Sequence, residues 1–391
     1  MIKILFIHHA AGWGGAPNSM IKLINSLDNN AFDIEVLLLK ESIVADKLKE
    51  NGIKYHIAKS RFYRKYYHFF THSEAGYVKW YQIYSFFKKM ILWLLSRYYF
   101  AAKEMSRFEF DICHLNSSVL TDWLQPCSRK GKVLIHIREP FRKGKYDIIY
   151  PIFTGQMRKY ADRIIAISQD NAIRIGIREK TEVIYNYAEI PKNSPPENSY
   201  RSKKVLYLGG AEKIKGFYTI VESLDYLNKD VKIYFAGNYL SSKKKRNILK
   251  RIIRFVLQKG VKRKAAIKKM KSSSNAIEIG LIHNVSKYFD EVCCLVNPFI
   301  TPHFSRPVIE AYLHQKPAIG SNVQGMDEII EHDKTGLIVP QNCPILLAEA
   351  ISLLTENSQK AKKMGKEGYA RAIEKFSPEN IKHFELIYRQ L

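Results

Sequence analysis

Short apolar runs alternate with helix-length segments along the whole chain. In the first half these runs predict strands at residues 3–8, 33–39, 111–115, 132–137, 163–167 and 181–185. The first run is followed by the glycine-rich sequence Gly12-Trp13-Gly14-Gly15 and then by helical spacing over residues 18–27. Strands that alternate with helices in this way predict a parallel sheet covered by helices on both faces.

A proline-containing segment, residues 191–203, separates this half from a second series of the same kind. Its prolines stand among Asn, Ser and Glu, a composition typical of linkers. After it, an apolar run leads into Gly209-Gly210 and a helix from about Phe217. Strands of the second series are predicted at residues 204–208, 231–236, 276–279, 292–296, 318–320 and 336–339.

These patterns predict two Rossmann-like α/β domains, residues 1–190 and 204–375, joined by the linker 191–203. Residues 376–391 form a further predicted helix, which we expect to pack back on the first domain. A chain of 391 residues is long enough for two such domains, each with its own core, and for a cleft between them.

The charge balance adds a requirement for anionic partners. The chain has 63 Lys and Arg against 37 Asp and Glu, a formal net charge of +26. Nucleic acid, an anionic lipid surface and a phosphorylated substrate all meet that requirement. The longest candidate for a membrane span, residues 90–96, is far shorter than the about 20 apolar residues that cross a membrane. With no C-x-x-C pair and no secretory signal pattern, we expect a cytoplasmic protein.

Two segments concentrate basic residues. Residues 243–271 contain fourteen Lys or Arg and no acidic residue, and apolar residues recur among them at helical spacing. This pattern predicts an amphipathic basic helix on an anionic membrane, with a solvated basic face as the alternative. We expect no nucleic-acid binding, because no recognised nucleic-acid module accompanies the charge. Residues 61–70, rich in Tyr, Phe and Arg, indicate an acceptor-side or membrane-side loop, and residues 78–105 a helix with a packed aromatic face.

The segment 299–340 resembles the donor site of the retaining family 4 glycosyltransferases, which have the GT-B fold. The resemblance is carried by four groups of residues in order: Glu310-Ala311, Lys316-Pro317-Ala318, Gly325 with Glu328, and Thr335-Gly336-Leu337. Outside this segment, Gly14-Gly15-Ala16 looks like the family's first glycine loop, and residues 207–216 look like the first loop of its second domain.

The resemblance implies a role for each domain and for several residues. The first domain is expected to face the acceptor and the second to bind a nucleotide sugar. His136 falls where the family has a cleft histidine near the transferred sugar, and Glu310 matches a donor-site glutamate, so both are candidate catalytic residues. The candidate nucleotide-sugar ligands are Gly14, Gly15, Gly209, Gly210, Lys215, Arg306, Pro307, Val308 and Glu310.

The sequence departs from the family at two positions. Gly210 stands where the family usually has an arginine that binds phosphate, and Pro302 replaces the first glutamate of its paired motif. A diphosphate in a closed site needs more than one cation, and we expect Arg306 to supply the missing charge. No D-x-D sequence is present, so we expect neither a metal nor another cofactor.

We therefore expect a peripheral enzyme at the inner membrane face that transfers sugar, with retention, to a glycan or lipid-linked glycan in surface polysaccharide synthesis. Two alternatives remain open. One is a nucleotide-sugar epimerase of similar fold, which needs no acceptor. The other is a non-catalytic basic protein that binds membrane or nucleic acid.

The basic segment 243–271 makes a direct prediction. Replacing its lysines with glutamine should weaken binding to anionic vesicles by at least about tenfold, because each cation near the surface contributes about 1 kcal/mol. Vesicle co-sedimentation at two salt concentrations measures this, with an equal number of lysines replaced elsewhere as control. Unchanged binding would rule out this segment as the membrane anchor.

Overall fold

The computed structural model describes residues 1–9, 12–67, 83–144, 147–239, 259–282 and 284–391. The chain divides into two compact units. The first unit comprises Met1–Tyr187 and Pro378–Leu391, and the second comprises Ala188–Ser377. Segment 188–203, which includes the predicted linker, therefore belongs to the second unit.

The first unit is built on parallel strands connected by helices. Its strands are β1 (Ile2–His8), β2 (Phe32–Leu38), β3 (Tyr55–Ile57), β4 (Ile112–Leu115), β5 (Lys132–Ile137), β6 (Arg163–Ala166) and β7 (Thr181–Val183). Its helices are α1 (Gly15–Ser26), α2 (Ile43–Glu50), α3 (Ile83–Leu95), α4 (Ala101–Met105), α5 (Leu124–Ser128), α6 (Ile149–Tyr160) and α7 (Gln169–Ile175), followed at the chain's end by the C-terminal helix (Asn380–Gln390).

The first sheet has the strand order β3-β2-β1-β4-β5-β6-β7, and every described pairing in it is parallel. The order reverses direction beside β1, because β2 lies on one side of it and β4 on the other. In doubly wound sheets, ligands bind outside the carboxyl ends of the strands at such a reversal.

Both faces of this sheet are buried. Leu5 and Ile7 of β1 pack in one apolar cluster, while Ile4 and Phe6 pack in the other, as the alternation of side chains along a strand requires. The first cluster lies under α3 to α7, and the second under α1, α2 and the C-terminal helix. The C-terminal helix contributes four buried residues to that second cluster: Ile381, Phe384, Ile387 and Tyr388.

The second unit repeats this plan. Its strands are β8 (Lys204–Tyr207), β9 (Lys232–Ala236), β10 (Ala276–Gly280), β11 (Cys294–Asn297), β12 (Ala318–Ser321) and β13 (Gly336–Val339). Its described helices are α8 (Phe217–Ser223), α9 (Lys259–Ser272), α10 (Ser286–Phe289), α11 (Arg306–Leu313), α12 (Pro344–Glu356) and α13 (Ser358–Lys375).

The second sheet has the order β10-β9-β8-β11-β12-β13, again with parallel pairings. Its order reverses beside β8, between β9 and β11. Apolar residues of α8, α12 and α13 cover the sheet in one buried cluster. Both units are therefore doubly wound α/β structures, and the predicted fold class is confirmed.

Every strand predicted from the sequence is present, with its ends within two residues of the prediction. β3, with only three residues, was missed. The interpretation of residues 61–70 as a loop was wrong for the described part: Phe62–Tyr66 form one π-helical turn, and Phe62, Tyr63 and Tyr67 are buried. The Tyr67 hydroxyl donates to Asp122 at 2.6 Å, and burial raises the pKa of that carboxyl to about 7.

The predicted helix 78–105 is described from residue 83 onward. α3 continues through a π-helical turn, Ser96–Phe100, into α4. Of the basic segment 243–271, only residues 259–271 are described, as part of α9; the apolar positions behind the amphipathic prediction lie outside the described residues. Within the described ranges, no helix combines the length and the hydropathy needed to cross a membrane.

The packing of the C-terminal helix makes a prediction about stability. Phe384 is 4% exposed and its ring lies 5.3 Å from that of His136, so Phe384→Ala should destabilise the first unit by about 3 kcal/mol. Leu386, on the same helix, is 55% exposed, and its replacement by alanine should change stability by less than about 0.5 kcal/mol. Chemical denaturation of both variants tests this, and equal effects would contradict the packing described.

Candidate functional site

In the first unit, the reversal of strand order places the turn after β1 at the carboxyl edge of the sheet. Gly14 is the N-cap of α1 and has extended backbone angles, with no side chain capping the helix. A Cβ atom built on Gly12, Gly14 or Gly15 would meet no atom within 4 Å. Internal packing therefore does not require these glycines, and they leave the amino end of α1 open to an anionic group.

A buried polar network lies at the same edge. His8 is the last residue of β1, and its Nδ1 lies 3.0 Å from the side-chain Nδ2 of Asn116, the residue directly after β4. The Asn116 side-chain oxygen accepts from Arg138 Nε at 2.6 Å, and a second guanidinium nitrogen of Arg138 donates to Asn186 at 3.2 Å. Burial and the neighbouring charges of His9 and Arg138 lower the pKa of His8 well below its usual range.

Glu139 adds a carboxylate to this edge. One of its oxygens accepts from the amide of Ser118 at 2.9 Å and from the Ser118 hydroxyl at 2.6 Å. The other accepts from the amide of Arg138 at 3.1 Å. The first unit thus presents a fixed guanidinium and a fixed carboxylate where the strands end. Sequence reasoning missed both, although two adjacent charged residues directly after a buried strand are a usable signal.

His136 lies deeper in the same unit. It is 2% exposed, its ring lies 5.5 Å from that of His114, and the C-terminal helix covers it through Phe384. Among the described residues, neither ring nitrogen has a hydrogen-bond partner. Burial lowers the pKa of His136 well below its usual range, and the charge of Arg138 lowers it further. The ring is therefore neutral and packed between β5 and the C-terminal helix. Arg138, two residues later, belongs to the polar network at the edge.

In the second unit, close packing explains the glycines after β8. A Cβ on Gly209 would collide with the Tyr207 ring, and one on Gly237 would collide with Gly210. Gly216 has φ +74° and faces the carbonyl of Pro298, which leaves no room for a side chain. The Tyr207 hydroxyl donates to the carbonyls of Gly210 and Lys215, at 3.1 and 3.2 Å. These contacts hold the loop at the carboxyl edge of the second sheet.

Lys215 is the half-buried cation of this loop. Within the described ranges, its ammonium group makes no hydrogen bond or ion pair. Burial lowers the pKa of Lys215, and Glu212 opposes that shift. His303 lies near enough that burial, together with the Lys215 charge, lowers the pKa of His303 to about 3. An anion bound here would offset the desolvation of Lys215, so the loop is suited to phosphate.

Arg306 and Glu310 lie together on the first turns of α11. Arg306 Nε is 3.0 Å from a Glu310 carboxylate oxygen, and the two side chains are 13% and 23% exposed. Pro307 lies in the first turn of the helix, whereas Val308 is fully buried and its backbone amide donates to the carbonyl of Ser305 at 3.1 Å. Val308 therefore packs in the core rather than offering a polar group to a ligand.

One groove away from the carboxyl edges is less suited to an anionic ligand. A groove of about 660 Å³ lies at the amino ends of β1 to β3, but Glu35 there is already paired with Lys54 and with His56, the latter at 2.7 Å. In the described part of the chain, no group of three or more His, Cys, Asp or Glu side chains could hold a metal ion. The two carboxyl edges remain the candidate sites.

The second unit is similar in sequence to a known protein family. Residues 189–371 match the sequence model of the family "Glycosyl transferases group 1". The matched region covers nearly all of the second unit and is named the group 1 domain. All of the candidate residues from Gly209 to Glu310 lie within this group 1 domain. The chain is also 36% identical over 121 residues to human alpha-1,3/1,6-mannosyltransferase ALG2, a match that covers 31% of this chain and 26% of that protein.

Solved structures extend the likeness to both units. HepE from Anabaena, in complex with UDP, has a TM-score of 0.73 and 18% identity, with complete coverage of both chains. A glycosyltransferase from Rickettsia africae has a TM-score of 0.70 and 17% identity, covering 100% of this chain and 98% of that one. At these identities the likeness establishes the fold alone, and it confirms the predicted GT-B-like fold class.

The pairing of Arg306 with Glu310 makes a prediction for the group 1 domain. If Arg306 contacts donor phosphate, Arg306→Ala should weaken nucleotide-sugar binding by about 10- to 100-fold, because a charge-assisted hydrogen bond contributes about 1.5–3 kcal/mol. Calorimetry on Arg306→Ala, Glu310→Gln and the double variant separates this contact from mere support of Glu310.

The double variant is expected to bind more weakly than either single variant. Equal losses in all three would mean that Arg306 only positions Glu310. Affinity within about twofold of wild type in folded Arg306→Ala would contradict the phosphate role altogether.

Proposed function

We propose that this chain is a glycosyltransferase that moves a sugar from a nucleotide-diphosphate sugar to a glycan or lipid-linked glycan acceptor. The observation that carries the proposal is Lys215, a half-buried ammonium group without an ion-pair partner among the described residues, at the strand-order reversal of a group 1 domain. Desolvating a cation without compensation is costly, so its position is best explained by an anionic ligand.

The chemistry of the reaction suits this edge. Breaking the bond between sugar and diphosphate leaves negative charge on the leaving group, which fixed cations and N–H dipoles stabilise strongly in a water-poor site. Lys215 supplies one charge in the proposed mechanism, and Arg306 supplies the second, which Gly210 cannot. Glu310 accepts hydrogen bonds from the ribose hydroxyls, and the backbone of Gly209 and Gly210 lies beside the phosphates.

The first unit supplies the acceptor side of the proposed reaction. Its open turn at Gly14 and Gly15 leaves space at the amino end of α1, and Arg138 and Glu139 fix opposite charges along the same edge. His136 was the expected sugar contact, but its burial under the C-terminal helix favours a supporting role beneath this polar edge. The proposed stereochemistry is retention.

The donor is the least specified part of the proposal. HepE, which shares the fold, was solved with UDP and with UDP-glucose, and ALG2 is named as a mannosyltransferase. UDP-glucose and nucleotide-diphosphate mannose are therefore the first donors to test. We further propose that transfer needs no divalent ion, since cations of the protein meet the leaving group, and that the enzyme acts at the inner membrane face in surface polysaccharide synthesis.

The test uses a panel of nucleotide sugars. Binding is measured as thermal stabilisation of the protein, and slow hydrolysis by product analysis with and without chelator. Lys215→Met should weaken binding of the active donor by about 10- to 100-fold, because it removes a charge-assisted contact in a poorly solvated place. Activity in chelator should equal activity in magnesium.

Lys213→Met is the matched control, because Lys213 lies in the same turn but is exposed. Its donor affinity should stay within about twofold of wild type. If no nucleotide sugar stabilises the protein, or if both lysine variants bind donor as wild type does, the proposed function is wrong.

A further inference from the structure

The helix that begins at Ile83 has an apolar outer face with no partner in the chain as described. Its inner side is fixed: Trp93 is 1% exposed and donates from its indole nitrogen to the Thr121 hydroxyl at 3.1 Å, and Ser96 lies 2.7 Å from the Tyr63 hydroxyl. The helix therefore cannot turn its outer side inward without breaking buried hydrogen bonds. That outer side carries seven large exposed residues: Tyr84, Phe87, Ile91, Leu94, Leu95, Tyr98 and Tyr99.

These seven residues, named here the α3 face, form a continuous stripe. The spacing 84, 87, 91, 94 and 95 is that of a single face of an α-helix. Tyr84 is 81% exposed, and Phe87 and Ile91 are each 58% exposed. Single exposed apolar residues are normal on a protein surface, but a contiguous stripe of aromatic and aliphatic side chains marks an interaction surface.

The charges that this helix presents to solvent are basic, because its one acidic residue, Glu104 in α4, is buried. Between Ile83 and Lys103 the sequence contains Lys88, Lys89, Arg97 and Lys103 and no acidic residue. The Arg97 guanidinium lies 4.9 Å from the ring centre of Tyr98, and the Lys103 ammonium lies 5.8 Å from that of Tyr99. Basic groups beside tyrosine rings, on the border of an aliphatic stripe, match the interfacial region of an anionic bilayer.

The aliphatic residues decide between lipid and nucleic acid. Bases stack on aromatic rings and guanidinium planes, but Ile91, Leu94 and Leu95 offer no such surface. The adjacent α6 continues the apolar character, since Ile148 before it and Ile152 within it are 67% and 38% exposed, and its Phe153 stacks on Trp93 at 5.9 Å.

We propose that the α3 face docks the first unit on an anionic lipid membrane, with the helix lying along the surface and its apolar side chains entering the acyl boundary. This inference specifies the membrane association included in the proposed function and adds a membrane contact outside segment 243–271. It uses no residue of the two carboxyl edges, so it stands or falls separately from glycosyl transfer.

The experiment compares the full chain with Phe87→Gln/Ile91→Gln, a double variant in which glutamine preserves helix propensity. Co-flotation is measured with vesicles of phosphatidylcholine and phosphatidylglycerol in about equal parts, and with phosphatidylcholine alone. The variant should bind mixed vesicles at least about tenfold more weakly, because two half-exposed apolar side chains no longer enter the bilayer. Raising the salt should weaken wild-type binding without abolishing it, since apolar insertion is not screened.

The matched control is Ile173→Gln/Leu353→Gln, which removes two apolar residues that are 64% and 41% exposed on α7 and α12. It should bind vesicles as wild type does. Donor hydrolysis without vesicles, measured in all three proteins, should be unchanged and reports on the proposed enzyme independently.

Three results would overturn the proposal. One is vesicle binding by the α3 variant that equals that of wild type, which would mean that segment 243–271 alone binds the membrane. Another is a wild-type protein that binds neither vesicle type. The third is a wild-type dimer that the α3 variant converts to monomer in light scattering, which would make a second copy the partner of this face.

Discussion

Parallel strand pairing around the first strand of each sheet is the constraint on which the candidate sites depend. β2 and β4 lie on opposite sides of β1, and β9 and β11 lie on opposite sides of β8. The chain segments that follow neighbouring strands therefore run in opposite directions from the carboxyl edge of each sheet. In doubly wound sheets, such a divergence is where ligands bind. Glycine turns, loop cations and polar strand ends therefore meet at the two edges, although they lie far apart in sequence.

The two edges use their glycines differently. In the first unit the glycines before α1 face open space, so their role is to leave room. In the second unit Gly209, Gly216 and Gly237 are required by neighbouring backbone or by Tyr207, so their role is to bring loops together. The second arrangement holds Lys215 partly out of water with no compensating ion pair among the described residues. A desolvated cation held at a fixed position is suited to binding an anionic leaving group, because the bound anion offsets the cost of desolvation.

Two helices of the first unit differ in how much of their apolar surface is buried. The C-terminal helix gives its apolar residues to the core of the first unit, with Tyr388 2.6 Å from the Nδ1 atom of His114. The helix that begins at Ile83 is apolar on both sides and can bury only one of them in the protein. Its outer residues remain exposed, where basic side chains accompany them. A net positive charge of this size favours both proposals, a phosphate-bearing ligand at the carboxyl edge of the second sheet and an anionic lipid surface at the α3 face.

Sequence periodicity by itself determined the strands, the two βα series and the fold class, because alternation of apolar residues and turn chemistry are local properties. The resemblance to a known family, rather than periodicity, singled out Lys215 and Glu310 as candidates. Only the tertiary structure decided that Arg138 and Glu139, rather than His136, lie in the polar network at the first edge. β5 ends at Ile137, so Arg138 and Glu139 lie beyond the strand, whereas His136 lies within it and is covered by Phe384. The pairing of Arg306 with Glu310 and the outward face of α3 depend likewise on helix rotation and on which side chains pack beneath, and these are set by contacts distant in sequence.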